Sequence, residues 1–152
     1  MNYKTKAIRK LPKSTIRMIH PNAAGIDLGS ESHFVSVPPD RCEVSIREFR
    51  CFTEDLRKMV SFLQECGIDT VALESTGVYW IPVFDILEEN GFEVFLVNAR
   101  HLKNVPGKKN DADDADWIRE LHTFGLLRSS FVPPSEIREA RNYWRIRDRH
   151  LK

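Results

Sequence analysis

Asp27 interrupts an otherwise apolar run, Ala23-Ala24-Gly25-Ile26-Asp27-Leu28. An ionised carboxylate in such a setting is costly unless a cation or hydrogen-bond donors accompany it. Glu74 ends a second apolar run, Thr70-Val71-Ala72-Leu73, at the kind of strand end where α/β sheets gather their sites. An acid there is equally favoured by the dipole of a following helix. The third source of carboxylates is Asn110-Asp111-Ala112-Asp113-Asp114-Ala115-Asp116, and helical geometry separates its aspartates. At about 100° per residue, with Ile118 set at about 0°, Asp114 falls near −40° and Asp111 near +20°. Both share the core-facing stripe with Ala115 and Leu121. Asp113 and Asp116 fall near −140° and 160° and are predicted to face solvent. Asp111 as N-cap with Asp114 three residues on is a purely structural reading of the same residues. Asn110 taking the cap would leave Asp111 free.

Two aspartates on the buried face of one helix, an acid inside a strand and another at a strand end make an oxygen-rich donor set suited to Mg²⁺ or Mn²⁺. Two such ions, about 3.5–4 Å apart, activate an attacking oxygen and stabilise a leaving oxygen in phosphodiester cleavage. The charge distribution agrees. The 152 residues carry 23 Lys+Arg and 22 Asp+Glu, for a net +1, yet residues 1–20 alone are +6 and residues 136–152 are +3, leaving −8 for the body between them. Acidic bodies attract cations and basic ends attract polyanions. Lys4, Lys6, Arg9 and Lys10 on the arm, and Arg100, Lys103, Lys108 and Lys109 near the aspartate segment, are the candidate nucleic-acid contacts.

These residues must be held by a scaffold, which the patterning outlines. Residues 23–28 and 33–37 read as strands, 44–49 as a third, and the three as an antiparallel meander. Thr53 to Cys66 has helical spacing, with Leu56, Met59, Val60 and Leu63 on one face, Thr53 as N-cap and Gly67 as the stop. Residues 70–73 form a short apolar strand. Tyr79 to Glu89 follows as a helix with Pro82 in its first turn, ended by Asn90-Gly91. Phe92 to Val97 reads as a strand buried on both faces. Around Pro106-Gly107 lies a basic loop or short helix, then a helix from Asp111 to Phe124, and Pro133-Pro134 before a last basic helix from Ser135. Tyr79, Trp80, Phe95 and Trp117 are read as core aromatics, and Tyr143, Trp144 and Ile146 as exposed apolar residues of the last helix. Strands alternating with helices indicate an α/β domain.

In order and spacing, Gly-Ile-Asp-Leu-Gly at 25–29, Leu-Glu-Ser-Thr-Gly-Val-Tyr at 73–79 and Lys-Asn-Asp-Ala-Asp-Asp-Ala at 109–115 before Trp117-Ile118 resemble the DEDD transposases and recombinases of bacterial insertion sequences, the group containing the Piv-type invertases. The resemblance covers roughly residues 22–134. It implies an α/β, ribonuclease-H-like (RuvC-like) mixed sheet flanked by helices, with a basic N-terminal arm at 1–21 and a C-terminal basic helix or coil at 135–152. It also implies that Asp27, Glu74, Asp111 and Asp114 are the catalytic, metal-binding tetrad for two Mg²⁺ or Mn²⁺ ions. The implied partners are DNA, a structured guide RNA and further copies of the chain. Asn110 stands where the family usually has Thr. Family members continue into a domain that supplies a serine nucleophile. Nothing near Ser135 matches that domain, so the chain is expected to be the N-terminal part of a longer recombinase.

Two other readings compete. Gly25-Ile26-Asp27-Leu28-Gly29-Ser30 is also similar to the first phosphate loop of sugar-kinase and actin-type ATPases. The chain is short for two lobes, however, and shows no second glycine-rich phosphate loop. A non-catalytic nucleic-acid-binding and assembly module is compatible with the basic ends. Cys42, Cys51 and Cys66 are an odd set without C-x-x-C spacing and read as small packed side chains. No apolar run approaches the roughly 18 residues of a membrane span, and the basic start is not followed by a signal-like apolar stretch. A cytoplasmic location, away from membranes, is therefore expected, and the resemblance implies that the cell is bacterial.

Overall fold

The computed structural model describes residues 17–75, 77–103 and 111–151, without the side chains of residues 101, 103 and 111–113. Five strands, β1 (Ala23–Leu28), β2 (Ser32–Ser36), β3 (Ile46–Arg50), β4 (Thr70–Glu74) and β5 (Glu93–Val97), form one sheet in the order β3-β2-β1-β4-β5. The first three make the expected antiparallel meander, while β4 joins β1 and β5 joins β4 in parallel. Helices α1 (Thr53–Glu65) and α2 (Trp80–Glu89) form the connections into β4 and β5. Then come the short α3 (Ala99–Lys103), α4 (Asp111–Thr123) and α5 (Ser135–His150). This mixed sheet flanked by helices is the ribonuclease-H-like arrangement.

Side chains alternate across a strand, so each strand contributes to both layers. One face presents Ala24, Ile26, Leu28, Val35, Val37, Val71, Leu73 and Leu96, which join Leu56, Met59, Val60, Phe62 and Leu63 of α1 and Val83, Phe84 and Leu87 of α2 in the larger apolar cluster. Phe62 joins the buried face because β3 reaches it: Phe49 lies 5.7 Å away ring to ring, and the Arg47 guanidinium sits 4.4 Å from its centroid. The other face is covered by α4, with Ala72, Val97, Leu102 and Ile118 in a smaller cluster.

Three local expectations change. Phe52, in extended backbone (φ −74°, ψ 153°), occupies the N-cap of α1 without a side-chain bond. Thr53 is already helical and cannot cap; Glu54 and Asp55 face the N-terminal dipole instead. β5 is an edge strand, although its side chains pack on both faces, Val94 and Leu96 against the larger cluster and Phe95 and Val97 in the smaller one. Its Glu93 is exposed, and the Ser130 N–H meets its Leu96 carbonyl at 2.7 Å. Tyr79 precedes α2 and is 43% exposed, whereas Trp80 packs on the core. Gly67 ends α1 with φ +67° as expected. Among the described residues no helix is long and apolar enough to cross a membrane.

Candidate active site

α4 lies directly on β1 because Gly25 has no side chain. A Cβ there would stand 2.3 Å from both the Ala115 carbonyl oxygen and the Arg119 nitrogen, so helix backbone and strand backbone touch. The helix runs antiparallel to β1. At its C-terminal end the Thr123 carbonyl accepts the N–H groups of Ile19 (2.9 Å) and His20 (3.0 Å), just ahead of β1. The N-terminal end of α4, where Asp111 and Asp114 sit, therefore lies over the C-terminal end of β1, where Asp27 sits.

Register brings in Glu74. β1 and β4 pair Gly25 with Ala72 and Ile26 with Leu73, so Asp27 and Glu74 come next and stand level on adjacent strands. Each is two residues beyond a member of the Gly25–Ala72 pair, and both therefore belong to the face that carries α4. Glu74 is 8% exposed and Asp114 7% exposed, while Asp27 is half-buried. Asp114 thus occupies the core-facing stripe that the helical phase predicted. Asp111 is the first residue of α4; its side chain, with that of Asp113, lies outside the described residues.

Asp116 keeps 42% of its side chain exposed, in keeping with its phase, but one carboxylate oxygen is engaged by the protein. The Ser36 hydroxyl donates to Asp116 Oδ1 at 2.7 Å, and Arg119 bonds the same oxygen through Nε (3.0 Å) and Nη2 (2.9 Å). Arg119 Nε also reaches Ser36 Oγ at 3.2 Å. Because α4 lies over β1 beside β2, the flank at Asp116 meets the next strand through Oδ1 while the rest of the carboxylate stays in water. The signal available in the sequence was the Asp116–Arg119 spacing of three residues, which makes an i,i+3 ion pair.

On the opposite flank, His122 Nε2 lies 2.8 Å from Thr70 Oγ1, and the Thr70 hydroxyl donates to the Glu93 carbonyl at 3.1 Å. The hydroxyl proton is thereby used, so the ring donates through Nε2–H. His122 Nδ1 is buried without a hydrogen-bond partner. Burial, with the nearby His20 charge adding to it and Asp69 opposing, brings the His122 pKa down to about 4.

As a metal site the donor chemistry fits. Two carboxylates more than nine-tenths buried at one sheet edge, with a third acid level on the neighbouring strand, are hard oxygen ligands. Among the described residues, no three His, Cys, Asp or Glu side chains converge into a cation-holding group. Of the basic candidates, Arg100 is exposed on α3, directly after β5 at this same edge. Lys103 ends that helix with its side chain outside the description. Lys4, Lys6, Arg9, Lys10, Lys108 and Lys109, as well as Asn110, lie outside the described residues.

No curated protein matches the chain in sequence. Among solved structures, a fowlpox virus resolvase bound to Holliday junction DNA is similar over 68% of this chain and 99% of its own, at 12% identity and a TM-score of 0.45. Residues 24–152 match the DEDD-type transposase family of the IS110 group, described as "Transposase", and the chain belongs to that family.

Proposed function

We propose that this chain is the divalent-metal-dependent strand-cleaving domain of a DNA transposase. Family membership makes it a DNA recombination domain. The finer reading rests on one observation: α4, seated on Gly25 and running antiparallel to β1, carries Asp114 to the sheet edge where Asp27 and Glu74 stand level. Asp27, Glu74, Asp111 and Asp114 would hold two Mg²⁺ or Mn²⁺ ions, which supply activation of an attacking oxygen and stabilisation of a leaving one. The protein residues fix the carboxylates on a sheet edge and a helix, elements stiffer than loops. Arg100, Lys103, Lys108 and Lys109, with Lys4, Lys6, Arg9 and Lys10 of the arm, would neutralise phosphates of DNA or of a structured guide RNA.

Residues 22–134 form the catalytic unit in this reading and 1–21 a basic arm. Residues 135–152, where α5 has no buried side chain and exposes Tyr143, Trp144 and Ile146, lead to further copies of the chain and to a serine-bearing domain that completes strand exchange. The setting is the bacterial cytoplasm.

The test compares Asp27→Asn, Glu74→Gln and Asp114→Asn with Asp113→Asn in Mg²⁺-supported cleavage of branched and duplex DNA by the complete recombinase. The first three should lose at least about a hundredfold in rate. Asp113→Asn should stay near the parent rate. Equal loss at all four positions, or cleavage indifferent to metal, would overturn the reading.

A further inference from the structure

Gly25 lets α4 approach the sheet, but a bare glycine surface is smooth and sets neither the helix's position along its axis nor its rotation. A slip of one residue moves a helix by about 1.5 Å and about 100°, enough to turn Asp114 off the sheet edge. Ile118 in the smaller apolar cluster and the Thr123 carbonyl bonded to Ile19 and His20 contribute to holding the helix, and two polar side-chain links add to them. On the β4 flank the link is His122 to Thr70, at the end of α4 remote from the acids. On the β2 flank it is the closed triangle of Ser36, Asp116 and Arg119.

The second link differs in kind. All three of its polar atoms bond one another, Ser36 is fully buried and the Arg119 side chain is only 11% exposed; Asp116 is 42% exposed, so water screens the charge pair and the link holds chiefly through its hydrogen-bond geometry. It also lies one half-turn from Asp114. Ser36 is the register partner of Gly25 on β2, so the contact point and the pin stand side by side on adjacent strands.

We propose that Ser36, Asp116 and Arg119 are positioning residues that fix the register of α4, and through it the placement of the Asp114 carboxylate for a divalent ion. This rests on the metal reading of the site given above. The three touch neither metal nor substrate. Their effect is on where the ligand stands before any ion binds.

The role makes a demand that simple structural support does not. A residue that only stabilises the fold lowers the melting temperature but leaves the metal affinity of the folded fraction unchanged; a positioning residue weakens that affinity. Partners bonded directly to metal ligands change affinity about 10–100-fold when removed; residues that act through the helix backbone are expected at about the low end of that range. The measurement is the Mn²⁺ binding isotherm of the 152-residue chain by calorimetry, at a temperature where circular dichroism shows each variant folded, with melting temperatures recorded without metal.

Asp116→Ala should weaken Mn²⁺ binding about tenfold. Ser36→Ala, which leaves α4 untouched, should do the same to a smaller extent. Asp116→Asn keeps an oxygen that can accept from both Ser36 and Arg119 and should restore affinity to within about twofold. Thr70→Val breaks the remote pin and should lower the melting temperature with affinity within about twofold of the parent. If Asp116→Ala and Ser36→Ala bind Mn²⁺ like the parent, or if Thr70→Val weakens binding as much as they do, the positioning role is overturned. Asp114→Asn separates the two readings. Deficient binding there with intact binding in Asp116→Ala removes only the positioning role, whereas parent-like binding in Asp114→Asn removes the metal reading and this proposal together.

Discussion

The two faces of the sheet are built on opposite chemistry. Behind it, α1 and α2 close an apolar layer of aliphatic and aromatic side chains, in which His33 and Cys66 are buried titratable groups. In front, a single helix rests on Gly25, with Ser36, Thr70, Glu74, Asp114, His122 and Thr123 all buried beneath or beside it. The back layer draws its stability from area removed from water, at roughly 25 cal/mol per Å², and needs no particular register. The front layer, with only the smaller cluster around Ile118, gains less from area. It depends on close backbone approach and on paired polar groups, each costly when left unmatched. The fold is held from behind so that the front can carry carboxylates.

The largest effect expected from breaking this division is on the apolar side. Leu63→Ala should cost about 2–5 kcal/mol, through lost transfer energy and a cavity, in urea unfolding, while Mn²⁺ affinity of the folded fraction stays unchanged. A shift in affinity would show that the two layers are not separate. Gly25→Ala attacks the front layer directly. Its Cβ would meet helix backbone on two sides, which cannot rotate away, so a loss of about 3 kcal/mol is expected. The loss should be localised: amide exchange should accelerate across Asp111–Thr123 while α1 and α2 keep their protection. Uniform acceleration would deny the front layer its independence.

A pH titration probes the front layer at its other end. The His122 pKa is about 4 in the folded protein, lowered first by burial and then by His20, against 6.5 in the unfolded chain. The unfolded state therefore binds the extra proton between these values, and stability falls as pH drops below 6.5. At pH 5 the loss is about 2 kcal/mol. Burial of His33 pushes in the same direction, so the contribution of His122 is read as the difference between parent and His122→Gln. The variant should show a visibly flatter dependence between pH 7 and 5, and an identical slope would remove His122 as its source.

What the sequence made legible follows from the same division. The back layer was readable because periodicity reports burial: Leu56, Met59, Val60 and Leu63 sit where their spacing placed them. Asp114 was legible for the same reason, since helical phase relative to Ile118 and Leu121 needs no knowledge of the partner. The bonding of Asp116 was not. Its phase points away from the centre of the contact, and only the position of α4 over β1, with β2 alongside, gives it Ser36 as a partner across 80 residues of chain. Thr53 looked like a cap by type, yet capping is a property of backbone angle, and Phe52 has that angle. The edge position of β5 was hidden because apolar runs report hydrophobicity, not the order of strands.

The smallest effect concerns α5, which the back layer holds by a polar contact on its outer surface. Arg138 Nη2 lies 2.6 Å from Asp85 Oδ1 and 3.2 Å from Glu88 Oε2, and its Nη1 donates to the Pro133 carbonyl at 2.9 Å. The guanidinium also stands 5.0 Å from the centroid of Phe84, itself part of the apolar cluster. The arginine side chain is 11% exposed but its carboxylates are 42% and 54% exposed, so water screens the pairs and much of their Coulomb energy is lost. Arg138→Met keeps the contact with Phe84 and removes the charge. It should cost about 1 kcal/mol, read as faster amide exchange in the first turns of α5 with the sheet and α4 unaffected. Arg138→Lys should recover little of this, because an ammonium cannot serve two carboxylates and a carbonyl from one plane. If the loss spread to α4, the front layer would depend on α5, and the division between a holding face and a working face would have to be redrawn.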